Sequence, residues 1–336
     1  MDYSLLFDLG TLFLGIILLV VSGNYLVKGG VGLAAYFKIS TLVIGLTVVA
    51  FGTSAPELIV SCDAALTGHP EIAIGNVIGS NIANIALVLA LTVIILPMPV
   101  AEQTIKRSWP FMMFSGIALY LAMLNGVIGH LEGIIMFLFL ILFITGSIRT
   151  SKKQSQKTDQ VYPNPSKPVW IYIIMVVISS VGLAFGSRLL VKGASSVAIE
   201  AGVSERIISL TLVAFGTSLP ELTASIIAAL KRESDLSVGN IIGSNIFNVF
   251  AVIGITSGIH NINFRFTDFR VDLYFMIIFY LTLFLFIIPF RDLFRRDRTE
   301  KNSLLKRVKH IKGGKISRTA GIVLAGLYVL YLVAIF

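Results

Sequence analysis

Two glutamates occupy near-identical six-residue stretches of the chain, each inside an apolar run. The first stretch, at positions 52–57, reads GTSAPE and ends at Glu57, and the second, at 216–221, reads GTSLPE and ends at Glu221. A charged side chain at the centre of a bilayer costs about 2.5–3.5 kcal/mol on insertion scales, so such residues are rare and usually functional. The matched pair therefore predicts a functional site at membrane depth.

A proline precedes each glutamate, at Pro56 and Pro220. Proline inside a helix lacks the backbone N–H and clashes with the carbonyl four residues back, here that of Gly52 or Gly216. We expect both helices to be interrupted at these points. The carbonyl groups released by the interruption would then be available to a bound cation.

The two stretches belong to a long internal repeat. At a constant offset of 164 residues and without gaps, Ser40–Asn84 aligns with Ser204–Asn248 with 25 identities in 45 positions. Each half of the chain holds five apolar spans, so equivalent spans must cross the membrane in opposite directions. Inverted repeats with a midplane site between interrupted helices are typical of secondary transporters.

The repeat also supplies hydroxyl and amide side chains next to the glutamates. Residues four apart share one helical face, which places Ser80 with Asn84 and Ser244 with Asn248. The first half contributes Thr53, Ser54, Glu57, Ser80 and Asn84. The second half contributes Thr217, Ser218, Glu221, Ser244 and Asn248. Ala50 and Ala214 complete the set of candidate ion ligands.

The candidate ligands are all oxygen donors, which hard cations such as calcium prefer. Transition metals would require histidine or cysteine, but Cys62 is the only cysteine and the four histidines are scattered. Two carboxylates give the site a charge that one calcium ion or two sodium ions would neutralise. The sequence therefore predicts competition between calcium and sodium, which is the physical basis of an antiporter that needs no cofactor.

Composition excludes a soluble globule, because 56% of the residues are hydrophobic and only 13% are charged. A spanning helix needs about 20 apolar residues. On that basis we predict an all-α polytopic membrane protein with ten spans, of which the first is a retained helix rather than a signal peptide. The predicted spans are 9–27, 39–67, 71–97, 108–127, 129–149, 168–190, 203–231, 236–259, 271–290 and 319–336.

Basic residues set the predicted orientation. Most of the 27 lysines and arginines follow odd-numbered spans, and cytoplasmic loops carry such an excess. We therefore expect both termini outside a cell membrane, with lipid rather than nucleic acid as the surrounding partner and no obligate protein partner. The predicted units are a first repeat at 1–149, a cytoplasmic hinge loop at 150–167 and a second repeat at 168–336.

Simpler structural explanations exist for individual residues. Glycine, serine and threonine in membrane helices most often serve packing, as expected for the small-residue faces around Gly79 and Gly243. A buried asparagine can serve only to hydrogen-bond one helix to another. A buried glutamate can stay protonated and hydrogen-bonded. Glu71 and Asp235 lie at span entrances, where solvation is the default. What favours a site is that both glutamates adjoin proline in an inverted repeat.

At these residues the sequence resembles the cation/calcium exchanger superfamily and, within it, the prokaryotic sodium/calcium exchangers. The resemblance covers essentially the whole chain. It implies ion sites at mid-membrane, exchange of several sodium ions for each calcium ion by alternating access, and a sliding pair of helices at 9–27 and 168–190.

The resemblance also implies roles for individual residues. Glu57 and Glu221 would bind calcium and sodium together with Thr53 and Thr217. Flanking sodium sites would include Ser54, Ser218, Ser80 and Ser244. The central site would be completed by Asn84 and Asn248.

One departure from many relatives is the amide at Asn248, where potassium-dependent exchangers carry aspartate. Because an amide cannot ionise, the site holds two carboxylates, which disfavours potassium co-transport. Proton/calcium exchange through the same glutamates remains the alternative to sodium/calcium exchange. A cation channel would require a ring of polar groups along a pore, and an intramembrane enzyme would require a nucleophile and base that the sequence does not show.

Overall fold

The computed structural model describes residues 3–157, 164–200, 202–203, 216–288 and 313–335. Within these residues, ten helices follow one another. The five helices of the first half are α1 (Tyr3–Phe37), α2 (Thr41–Leu66), α3 (Glu71–Ile95), α4 (Trp109–Met123) and α5 (His130–Lys157). The five helices of the second half are α6 (Val169–Glu200), α7 (Leu219–Leu230), α8 (Ser234–Ile259), α9 (Phe266–Ile287) and α10 (Arg318–Ile335).

The predicted all-α polytopic fold is confirmed. Eight of the described helices are long and apolar enough to cross a membrane, and α4 and α7 are shorter. The span predicted at 203–231 is described only from residue 216 onward, together with residue 203, because 204–215 lie outside the described residues.

Three of the predicted spans are shorter than the helices in the structure. Helix α1 is 35 residues long and α6 is 32, so both extend beyond the apolar runs that predicted them. Helix α5 continues to Lys157, so residues 150–157 are helical rather than part of a loop. The rule of about 20 apolar residues reflects the thickness of the hydrocarbon region. A helix can continue into the interfacial region, where water and headgroups solvate its side chains.

The centre of the fold is formed by α2, α3 and α8, and α1 and α6 lie outside it. Most of α2 and α3 and nearly all of α8 are buried, whereas α1 and α6 expose most of their apolar side chains. A helix that is apolar on every side and carries small polar residues is suited to such a central position. The exposed apolar faces of α1 and α6 are suited to lipid.

Glycines bring the backbones of α2 and α8 into contact. A Cβ atom on Gly239 would lie 2.5 Å from the carbonyl oxygen of Leu42, and one on Gly243 would lie 2.8 Å from backbone atoms of Leu46. The predicted small-residue face is therefore confirmed on α8. At Gly79, its equivalent on α3, no described residue lies within 4 Å of that position, and the repeat's partner segment 204–215 is outside the described residues.

Helices α1 and α6 also pack closely on each other. A Cβ atom on Gly15 would lie 2.5 Å from the backbone nitrogen of Leu190, and one on Gly193 would lie 2.6 Å from that of Leu12. Because backbone approaches backbone over several turns, the two helices form one unit beside the central helices.

Two short antiparallel ribbons, which the sequence did not predict, join the halves. Strand β1 (Met98–Ala101) pairs with β4 (Gly313–Ile316), and β2 (Val127–Ile128) pairs with β3 (Ile262–Asn263). Strands β1 and β3 each follow the third helix of a half, and β2 and β4 each precede its fifth. Each ribbon therefore joins one strand of each kind, as two inverted halves related by a pseudo-twofold axis require.

Candidate ion-binding site

The two glutamates of the repeat are fully buried between the central helices. Glu57 lies on α2 and Glu221 on α7, and both side chains have zero exposure. The hydroxyl of Ser54 donates a hydrogen bond of 3.0 Å to Oε1 of Glu221, which joins the two halves. Among the described residues, both carboxylate oxygens of Glu57 and Oε2 of Glu221 have no hydrogen-bond partner. Three buried carboxylate oxygens are thus available to a ligand.

Thr53 is the second link between the halves. Its buried hydroxyl lies 3.1 Å from Oδ1 of Asn240 and 3.4 Å from Oγ of Ser244, both on α8. The same hydroxyl lies 3.3 Å from the carbonyl oxygen of Ala50. The close packing of α2 on α8 therefore places a hydroxyl of one half against amide and hydroxyl groups of the other.

Each of the two site asparagines begins a π-helical turn. Asn84 opens the turn Asn84–Leu89 in α3, and Asn248 opens Asn248–Ile253 in α8. Both side chains are fully buried, and no described group bonds to either amide. π-Helical turns occur frequently at functional sites because they widen the helix locally. Their presence at the same repeat position in both halves indicates a common purpose.

The remaining candidates differ in their placement. Ser80, Ser244 and Ser218 are buried, and the hydroxyl of Ser218 has no partner among the described residues. Thr217, the repeat equivalent of Thr53, is instead half-buried and lines a cavity of about 310 Å³ between α2, α6 and α7. No described contact brings Thr217 to the other candidates. Ala214 lies outside the described residues.

The predicted interruption at proline occurs in only one half. Pro56 lies in the interior of α2, which continues without a break, so the prediction of an interrupted helix there is wrong. Pro220 is near the start of α7, preceded by a turn at 217–218, so the interruption is present in the second half. An N-terminal position leaves the missing N–H of proline without consequence, whereas the packing of α2 against α8 holds the helix together through Pro56.

Two asparagines that the sequence analysis did not single out hold the glutamates in place. The amide of Asn76 donates to the carbonyl oxygen of Glu57 (3.2 Å) and to Oγ of Ser61 (3.0 Å). At the offset of 164, Asn240 donates to the carbonyl oxygen of Glu221 (3.4 Å) and to Oγ of its own serine, Ser225 (3.0 Å). Both asparagines and both serines are identical between the repeats, and that identity is the signal that could have identified them.

The arrangement is suited to binding cations with oxygen ligands. Two fully buried carboxylates lie on helices that also bury hydroxyl and amide groups, and Ser54 contacts the carboxylate of Glu221 directly. No three histidine, cysteine, aspartate or glutamate residues gather at any point in the described part of the chain. The other oxygen donors around the two carboxylates are therefore neutral, so the carboxylates alone determine the charge of the site.

The chain is similar to known proteins over most of its length. The family model described as "Sodium/calcium exchanger protein" matches residues 7–149 and 171–336. Over 246 residues the chain is 41% identical to the putative antiporter CaxA of Alkalimonas amylolytica, covering 72% of this chain and 77% of that protein. It is 28% identical to the sodium/calcium exchanger MaX1 of Methanosarcina acetivorans over 285 residues, covering 73% and 81% of the two chains.

Solved structures give the same result for the fold. A structure of the sodium-calcium exchanger NCX_Mj, soaked with zero Na⁺ and Ca²⁺, superposes with a TM-score of 0.78 at 30% identity. The superposition covers 99% of this chain and 100% of the other. The likeness therefore includes both halves and the central helices that carry the candidate site.

Proposed function

Because the chain belongs to the sodium/calcium exchanger protein family and is a multi-pass cation/calcium antiporter by that membership, we propose that sodium is its counter-ion. Sodium and calcium would occupy the buried site in turn, and alternating access would expose the site to one membrane face at a time. The inverted halves support this mechanism, since exchanging the conformations of two inverted repeats reverses the side to which a midplane site opens.

The observation that carries the proposal is the set of buried carboxylate oxygens without hydrogen-bond donors. An isolated ionised carboxylate in a low-dielectric interior is very costly unless it is paired or coordinates a metal. In the described residues no lysine, arginine or histidine forms an ion pair with Glu57 or Glu221. A cation is therefore the group that best completes the site.

We propose that the ligands come from both halves and are the residues predicted from the repeat. The carboxylates of Glu57 and Glu221 carry the charge. The neutral oxygen donors are Thr53, Ser54, Ser80, Asn84, Thr217, Ser218, Ser244 and Asn248, with the carbonyl groups of Ala50 and Ala214. Calcium takes six to eight oxygen ligands, which two carboxylates alone do not supply.

Charge balance supports competition between sodium and calcium. One calcium ion or two sodium ions neutralise two carboxylates, so a change of occupant leaves the buried region neutral. The amide of Asn248 adds no third charge to this balance. Potassium is therefore not required to complete it.

Proton/calcium exchange is the second candidate, and the orphaned oxygens of Glu57 favour it as well. A buried carboxyl that has no donor can be neutralised by a proton instead of a metal ion. Glu221 differs, because Oε1 already accepts a hydrogen bond from Ser54. If protons compete, they would do so first at Glu57.

Calcium flux into proteoliposomes, with the sodium, potassium and proton gradients varied independently, tests the proposal. We expect calcium uptake to follow an opposed sodium gradient at constant pH. Uptake that ignores sodium and follows a pH gradient would favour proton exchange. Flux without any counter-ion dependence would refute exchange altogether and favour a channel.

We further propose that the chain divides at the connection between α5 and α6, and that both termini lie outside a cell membrane. The basic residues between α9 and α10, and Lys152, Lys153 and Lys157 at the end of α5, support this orientation through the excess of positive charge on the cytoplasmic side. The orientation can be tested in a variant that has Cys62 replaced and a single cysteine added at one terminus. An impermeant thiol reagent should label this cysteine in intact cells if the terminus lies outside.

A further inference from the structure

A second cavity lies away from the ion site, at one end of the α1–α6 pair. Its volume is about 570 Å³, and it opens between α1, the segment that leads into α6, and the connection from α7 to α8. The charged residues in its wall are Lys28, Lys167, Lys231 and Glu233. The apolar residues in its wall are Val27, Val31, Ala35, Tyr172 and Met175, with Pro165 at the rim.

Among the described residues, the three lysines have no acidic partner. No carboxylate in the described part of the chain lies within 4.0 Å of their ammonium groups. Lys28 lies over the ring of Tyr25 at 5.5 Å, and Lys231 donates to the carbonyl oxygen of Asn24 at 3.1 Å. Burial and the charge of Lys28 lower the pKa of Lys231, so the ammonium groups repel each other. Glu233 does not neutralise them, and an anion would.

The position of the cavity identifies the source of the anion. Helices α1 and α6 expose apolar side chains along their lengths, so lipid borders the cavity. The lysines come from three separate chain segments and converge where α6 begins and α7 ends. Val31, Ala35 and Met175 provide an apolar wall beneath them that a free phosphate ion cannot use. Basic pockets between membrane helices on the cytoplasmic side are suited to anionic headgroups.

We propose that this cavity binds an anionic phospholipid, with the headgroup phosphate held by Lys28, Lys167 and Lys231 and the acyl chain along the apolar wall. The lysines belong to α1, to the entrance of α6 and to the end of α7. One bound lipid would therefore connect the α1–α6 pair to the helix that carries Glu221. Anionic lipid would stabilise one arrangement of these elements and change the rate of calcium exchange.

Binding can be measured on the purified full-length protein in detergent, without any transport. The probes are dioctanoyl phosphatidylglycerol, dioctanoyl phosphatidylcholine and glycerol phosphate, each titrated while thermal unfolding is recorded. The test variant is Lys28→Gln combined with Lys231→Gln. Its matched control is Lys152→Gln combined with Lys153→Gln, two exposed lysines on α5. They lie at the same membrane face, because Ser151 accepts a hydrogen bond from the backbone nitrogen of Ser40, just beyond α1.

We expect phosphatidylglycerol to bind the native protein more tightly than the other two probes. A basic residue near anionic lipid contributes about 1 kcal/mol, which corresponds to about fivefold in affinity. The test variant should therefore bind phosphatidylglycerol about 25-fold more weakly, and the control variant should match the native protein. Lys28→Arg with Lys231→Arg should restore binding, which separates loss of charge from loss of fold.

Three results would overturn the proposal. If the control variant loses as much affinity for phosphatidylglycerol as the test variant, the lipid responds to diffuse surface charge. If phosphatidylcholine binds the native protein as tightly as phosphatidylglycerol, the cavity is an apolar groove only. If glycerol phosphate binds as tightly as phosphatidylglycerol, the cavity is a site for free phosphate. In proteoliposomes, calcium flux should depend on the phosphatidylglycerol content for the native protein and much less for the test variant. Because lipid binding is measured in the absence of ion gradients, its outcome is independent of whether sodium or protons drive exchange.

Discussion

The hydrogen bond between Thr53 and Asn240 is a testable link between the two halves. The hydroxyl oxygen of Thr53 lies 3.1 Å from Oδ1 of Asn240 in a fully buried region. The amide nitrogen of Asn240 also donates to the carbonyl oxygen of Glu221 and to Oγ of Ser225. A buried neutral hydrogen bond contributes about 1 kcal/mol net. Replacing Asn240 by alanine removes three such contacts, so we expect a loss of about 3 kcal/mol in the free energy of unfolding.

A double-mutant cycle isolates the single bond. Thr53→Val removes the hydroxyl with little change in volume, and Asn240→Ala removes the acceptor. We expect a coupling free energy of about 1 kcal/mol between them, measured by denaturant titration of the protein in micelles. The matched cycle pairs Thr53→Val with Asn76→Ala, which removes the repeat-equivalent amide that Thr53 does not contact, and should show coupling below about 0.3 kcal/mol.

Equal coupling in the two cycles would contradict a specific bond between Thr53 and Asn240. Equal values would mean that Thr53 interacts with the two repeats indiscriminately and that the observed bond is energetically irrelevant. The asymmetry between the cycles, rather than the size of either single-mutant effect, is therefore the decisive quantity.

Three further predictions concern the site charge, the helix packing and the pH dependence of stability. Two unit charges 4 Å apart attract each other by about 4 kcal/mol in an environment of intermediate dielectric, and a divalent ion gains twice that. Glu57→Gln should therefore weaken calcium binding more than sodium binding, as measured by isothermal titration. The control Glu71→Gln, at an exposed position, should leave the binding of both ions unchanged. Gly243→Ala should destabilise the protein by about 1–3 kcal/mol, because its Cβ would lie 2.8 Å from the backbone of α2; Gly146→Ala, which meets no described atom within 4 Å, should have little effect in the same denaturant titration. Burial and the neighbouring Asp235 raise the pKa of Glu233, so the folded state holds the proton of this carboxyl more tightly than the unfolded state. The free energy of unfolding should therefore fall as pH rises through the raised pKa. This decline should be smaller in Glu233→Gln.

The helices and the inverted repeat could be predicted from sequence because both leave local signals. An apolar run of about 20 residues predicts a span without reference to any other part of the chain. The ungapped offset of 164 residues then brings the glutamates to equivalent positions. The bond from the hydroxyl of Ser54 to Glu221 was not predicted, and it has no counterpart between Ser218 and Glu57 among the described residues.

The β ribbons and the supporting asparagines could not be found in this way. Strand β2 has two residues, and its partner β3 lies more than a hundred residues further along the chain, so no periodic pattern marks either strand. Asn76 and Asn240 look like any amide in a membrane helix until their contacts with the glutamate carbonyl groups are known. Pairing between distant segments is a property of the packed molecule rather than of a sequence window.

The asymmetry of the two halves bears directly on how the site could open and close. Nearly the same six residues adopt two conformations in one molecule. The first copy is continuous helix through Pro56, and the second is a turn followed by the start of α7 at Leu219. Thr53 is correspondingly buried against α8, whereas Thr217 faces a cavity. Because nearly one sequence occupies both conformations, their difference in free energy must be small enough for the surrounding packing to select between them. An exchange of the two conformations would bury Thr217 and expose Thr53. Since the halves are inverted repeats, the same exchange would move the cavity from beside Thr217 to the equivalent position beside Thr53.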